Sequence, residues 1–177
     1  MAEYLITSEA FVKNTTPIFD NIGGKYIQSA IREAQEIRIK GVLGSPLLAR
    51  LKELCKSGEI EKNSDYKELL DQCQMATAYQ AISELARITS YKITNKGVVK
   101  TNDERVENAT ESEIIRTQDY YRAKADFYVS ELQRFLLDNR SKYPELSETA
   151  CNAIRSNLHS AASCGLWLGG TRGKKVR

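Results

Sequence analysis

The sequence predicts a mainly α protein: a helical bundle of about four to five helices, one β-hairpin between the central and last long helices, and an extended C-terminal arm. Three stretches predict it. From Tyr66 to Ala86 two apolar lines interleave, Tyr66, Leu69, Cys73, Ala76 and Tyr79 on one and Met75, Ala78, Ile82 and Leu85 on the other. Steps of three and four are helical, and two such lines imply contact around much of the helix. Further on, Ile114, Gln118, Tyr121, Ala125, Tyr128, Leu132 and Phe135 form a heptad line, which packs along its length against a partner; the central helix is the obvious one. Between the two helices the chain changes character. Arg87 closes the central helix, and residues 88–101 are β-branched and aromatic around Asn95-Lys96-Gly97, with Gly97 able to supply a positive φ.

The remaining elements follow in order. Thr7 or Ser8 can cap a short helix that opens with Glu9 and Ala10 and ends before Pro17. Ile18-Phe19-Asp20 reads as one more turn. After Ile22-Gly23-Gly24 a helix is expected from Lys25 to Lys40, lined by Ile27, Ile31, Ala34 and Ile37 or Arg38, with Gly41 marking its end. Gly44-Ser45-Pro46 restarts a helix whose apolar face is Leu47, Leu48, Leu51 and Leu54 or Cys55; Ser57-Gly58 stops it. Glu59 to Ser64 reads as a polar connector. Thr110 can cap the last long helix, with Glu111 and Glu113 in its first turn, and Pro144 closes the exit. Ser147 to His159 reads as a short helix through Ala150, Cys151, Ile154 and Leu158. The division expected is a helical domain over residues 1–145 and an arm over residues 146–177.

Size and composition are those of one ordinary globular unit, with 41% hydrophobic and 28% charged residues in a chain of 177. The net charge of +3 provides no strong global field for nucleic acid or membrane. Its distribution is uneven. Asp103, Glu104, Glu107, Glu111, Glu113 and Asp119 outweigh Arg105 and Arg116, whereas the last residues carry Arg172, Lys174, Lys175 and Arg177 with no acid. The N-terminus lacks the basic and apolar regions of a signal peptide, and no apolar run reaches the ~18 residues of a membrane span. The four cysteines have no paired spacing and read as reduced structural thiols.

Catalytic chemistry has little to work with. His159 is the single histidine, and Cys151, His159 and Cys164 fall short of a zinc site in number and spacing. Gly169-Gly-Thr-Arg-Gly-Lys-Lys175 lacks the first glycine, the hydroxyl residue after lysine, and the strand and helix of a phosphate loop. The carboxylates of the acidic connector have no apolar surroundings to shift them toward acid–base work. The sequence reads as neither an enzyme nor a holder of a cofactor or metal.

The capped short helix, the helix leading into Gly41-Val-Leu-Gly-Ser-Pro-Leu-Leu48, the long helix, the hairpin and the heptad helix together resemble the head–tail connector (adaptor) proteins of tailed bacteriophages, over about residues 5 to 140. The segment Gly165-Leu-Trp-Leu-Gly-Gly170 is similar to the C-terminal arm of connectors from phages of Bacteroides-type hosts, the crAss-like group included. The resemblance implies a structural virion protein of the neck, made in the host cytoplasm. It implies a homo-oligomeric ring of about twelve copies below the portal, in which neighbours touch through two different surfaces. Such a ring extends the DNA channel without reading sequence and gives further neck or tail proteins a platform. The hairpin, with Tyr91, Lys92, Ile93, Lys96, Val98 and Lys100, is then expected at a subunit interface or the channel. Leu166, Trp167 and Leu168 are expected to anchor the arm on the portal, rimmed by Arg172, Lys174 and Lys175; burying three such side chains is worth several kcal/mol per copy. The alternative is a small helical nucleic-acid-binding or regulatory protein using the basic tail and the turn at Gly41–Ser45. Against it, Arg50, Lys52 and Lys56 are interleaved with Glu53 and Glu59, and no recognition helix stands out.

Overall fold

Ser8 takes the N-cap of α1 (Glu9–Thr15), its hydroxyl accepting from the Phe11 N–H at 3.1 Å, which decides between the two candidate caps. Thr16, ahead of Pro17, turns extended and ends the helix as expected. These and the following elements come from a computed structural model that describes residues 4–18, 21–95, 97–100 and 109–147, with backbone alone at 92–94, 98–100 and 147. Phe19 and Asp20 lie outside the described residues, as does the expected helix beyond Ser147.

Among the described residues the fold is mainly helical, built as four rods. The second rod departs from expectation. α2 (Gly24–Ala34) does not stop at Gly41 but widens into a π turn over Gln35–Ile39 and continues as α3 (Lys40–Ser57). Gly41 is tolerated because it keeps helical backbone with open space around it. The break falls at Gly44, whose φ of 77° and ψ of 163° are closed to side-chain-bearing residues; helix resumes at Ser45-Pro46, where the sequence places the restart.

Gln35 gives the π turn its structural purpose. Its side chain is fully buried, accepting from the Ile6 N–H at 2.9 Å and donating to the Tyr4 carbonyl at 3.4 Å. Gln74 donates to the Ile6 carbonyl at 3.0 Å, so the backbone of Ile6 is held from both sides. The apolar periodicity carries no trace of this latch.

α4 (Ser64–Ser90) runs through the middle, and from Ala76 to Ser83 every residue except Tyr79 is buried. Leu69, Cys73 and Ala76 enter a cluster with Leu43, Leu47, Leu51 and Leu54 of α3 and with Leu132 and Leu136 of α5 (Glu111–Asp138). Ala78, Ala81 and Leu85 enter a second with Val12 of α1 and Ile27, Ala30 and Ile31 of α2. The heptad partner of α5 is α4, as expected. Its buried seam is wider than the heptad line, because Val129 and Leu136 are buried beside Ala125 and Leu132. A Thr110–Glu113 capping box starts α5, with both reciprocal hydrogen bonds made.

Two further expectations are corrected. α4 does not end at Arg87 but runs to Ser90: Ile88 packs against a buried apolar cluster, and the Thr89 and Ser90 hydroxyls are satisfied by the Leu85 and Ala86 carbonyls, each at 2.7 Å. The backbone of β1 (Tyr91–Thr94) then pairs antiparallel with β2 (Gly97–Lys100), Ile93 opposite Val98, and Gly97 has φ 108°. The connector after α3 contains a 3-10 turn (Glu59–Lys62) that buries Ile60. α5 ends at Asp138 with Asn139 as its C-cap, ahead of Pro144 as expected, and beyond it Tyr143 and Leu146 are both buried. Tyr143 donates to the Asp65 carbonyl at 2.7 Å and Tyr66 donates to Glu145 at 2.8 Å, closing the C-terminal turns over the start of α4. Leu146, first residue of the expected arm, is thus part of the core.

Two outcomes follow. Gly44→Ala forces a side chain into a glycine-only conformation and is expected to cost about 1–3 kcal/mol in chemical denaturation, whereas Gly41→Ala is neutral or stabilising. Partial burial, then the hydrogen bond to Glu145, raises the Tyr66 hydroxyl to about 12. A raised folded value stabilises below the unfolded value of about 10 and is lost as pH rises toward 12, so Tyr66→Phe should flatten the loss of stability over that window.

Candidate assembly surface

The outward side of α5 carries aromatic residues that neither core uses. Tyr120 and Phe127, seven residues apart and therefore on one stripe, are 57% and 59% exposed. With Ala123, Lys124, Tyr128 and Tyr79 of α4 they line an open, largely apolar cleft of about 360 Å³. Tyr79 and Tyr128 form its floor, stacked at 5.1 Å with an interplanar angle of 11°, and Phe127 meets Tyr128 edge-on at 5.3 Å.

Lys124 stands over this floor. Its ammonium lies 4.5 Å from the Tyr120 ring centroid, 5.6 Å from that of Tyr79 and 5.9 Å from that of Tyr121. Hydrogen bonding to Tyr120 raises its pKa, so the ammonium stays charged. No carboxylate among the described residues is within ion-pair distance of it. A cation held over rings, with apolar surface beside it, suits a partner that brings an apolar side chain and a carboxylate.

The other flank of α5 faces the π turn, where Asp126 is ion-paired to Arg38. Ile37, beside Arg38, is 65% exposed, the most exposed of the large apolar side chains described. Glu36 pairs with Lys40 at 3.0 Å and Lys52 at 2.9 Å, fixing that turn from below.

Among the described residues no three His, Cys, Asp or Glu side chains are placed to hold a metal, and no helix is long and apolar enough to cross a membrane. Burial pushes the Cys55 and Cys73 thiols up, away from the reactive thiolate. Of the sequence-predicted site residues, Tyr91 is half-buried at the start of β1, and Lys92, Ile93, Val98 and Lys100 have their backbone in the two strands. Lys96 lies outside the described residues, as do Leu166, Trp167, Leu168, Arg172, Lys174 and Lys175, with Cys151, His159 and Cys164. The cleft was not among the predicted sites. Its signal was legible as Tyr120 and Phe127, large aromatics off the heptad line at a helical repeat of seven.

A family model, described as a family of unknown function (DUF6712), matches residues 39–156, more than half of the chain. The chain belongs to the DUF6712 family. The matched segment begins at the end of the π turn and takes in α3, α4, the strands, α5 and the whole cleft. No curated protein and no solved structure matches the chain.

If the DUF6712 chain keeps Tyr120 and Phe127 for contact rather than folding, Tyr120→Ala and Phe127→Ala should each change unfolding free energy by less than about 0.5 kcal/mol, while Leu132→Ala costs about 2–5 kcal/mol. Chemical denaturation of the three variants measures the contrast.

Proposed function

We propose that this DUF6712 protein is a structural virion protein, a ring-forming head–tail connector that sits below the portal, extends the DNA channel and joins head to tail. The observation that carries the reading is the unequal pair of apolar surfaces on the two flanks of α5, the aromatic cleft and the exposed Ile37. A subunit of a cyclic ring needs two different faces, because each copy meets one neighbour with one face and the next neighbour with the other. The backbone hairpin of β1 and β2, following α4 without a loop, supports the reading as an element that needs further packing. In this reading Tyr91, Lys92, Ile93, Lys96, Val98 and Lys100 serve an interface or the channel. The C-terminal arm grips the portal through Leu166, Trp167 and Leu168, with Arg172, Lys174 and Lys175 at its rim.

Native mass spectrometry of the full chain, alone and with a portal protein, tests the proposal. A closed ring of about twelve copies, or a monomer that assembles only on the portal, is the expected outcome. A chain that stays monomeric in both settings overturns it, and salt-sensitive retention of that monomer on duplex DNA would indicate a nucleic-acid-binding protein instead.

A further inference from the structure

We infer that the aromatic cleft of one copy receives the Ile37 side chain of the next, with Glu33 of that second copy pairing to Lys124. The inference rests on the ring reading above and deepens it by naming the contact.

Four observations lead to it. First, Ile37, Phe127 and Tyr120 are the three most exposed large apolar side chains described, at 65%, 59% and 57%; one is a knob and the other two edge a cleft. Exposed apolar surface of this kind marks association sites. Second, the two features face apart. Asp126, which ties α5 to the π turn carrying Ile37, is two residues from Lys124, and at about 100° per residue the two positions point to opposite flanks. One copy therefore cannot fill its own cleft, but a chain of copies can.

Third, the charges match. Glu33 is exposed one turn before Ile37 and has no cation within ion-pair distance among the described residues; Lys124 has no carboxylate. Fourth, the spacings match. Glu33 and Ile37 are one turn apart, as are Lys124 and Phe127, so each pair presents a charge and an apolar group about 5–6 Å apart. The knob is also held in place. Gln35 fixes the π turn on the Tyr4–Ile6 segment, and Arg38 ties it to α5, so little ordering is left for association to impose.

The test is a charge exchange in the full chain, read by native mass spectrometry across a concentration series. Glu33→Lys and Lys124→Glu should each raise several-fold the concentration needed for half assembly, by setting like charges opposite one another. The double variant E33K/K124E restores the pair and should recover assembly, which a misfolded single variant could not do. Ile37→Asp should weaken assembly in the wild-type and the double variant alike. Rings that form undisturbed in K124E and I37D, or a double variant no better than the singles, overturn this contact while leaving the ring reading standing. Wild-type chain that is monomeric both alone and on a portal overturns both.

Discussion

The burial of α4 on all sides is the constraint that organises this fold. A helix enclosed over the stretch Ala76–Ser83 needs neighbours on every flank, and α1, α2, α3 and α5 supply them. The enclosure explains the composition of α4. Ala76, Ala78 and Ala81 are small, so neighbouring helices approach closely, and the buried Thr77 and Ser83 hydroxyls are satisfied by the Cys73 and Gln118 carbonyls at 2.7 and 3.0 Å. Ser83 also fixes the register of α5, since its partner lies on that helix. The two apolar clusters then take successive stretches of α4, Leu69 to Ala76 in one and Ala78 to Leu85 in the other.

The same enclosure leaves α5 only half used. One side completes the core with Ala125, Val129, Leu132 and Leu136. Among the described residues no element covers the opposite side, which presents Tyr120 and Phe127 among its charged residues. The stacked pair Tyr79–Tyr128 joins the two regimes, because each ring is half-buried and contributes both to the α4–α5 seam and to the cleft floor.

Much of the bundle was legible from spacing alone. The heptad of α5, the double line of α4, the Ser8 and Thr110 caps and the restart at Ser45-Pro46 each follow from local chemistry that tertiary contacts do not overrule. The departures have a common cause. The preferences at Gly41 and Ile88–Ser90 are worth at most about 1 kcal/mol each, and a continuous helix with open space at Gly41 and packing of Ile88 on the second cluster override them. The Gln35 latch and the return of Tyr143 to Asp65 join residues 29 and 78 positions apart, beyond what any periodicity reports. The two strands fall inside the stretch expected to form a hairpin, while the cleft, edged by Tyr120 and Phe127 off the heptad line, was not among the expected sites.

That omission bears on how such proteins are read. A tyrosine on a helix can pack against the core, as Tyr128 does, or stand exposed, as Tyr120 does. The line alone does not distinguish the two, because phenol tolerates both water and burial. What distinguishes them is phase against the heptad. Tyr121 and Tyr128 are on the seam and half-buried, whereas Tyr120 and Phe127 are displaced by one residue, about 100° around the helix, and stand in solvent. Displaced aromatics repeating every seven residues on a helix whose seam is already full are surplus to the fold. Together with a lysine that has rings but, among the described residues, no carboxylate beside it, they are the features on which the proposed contact between copies rests.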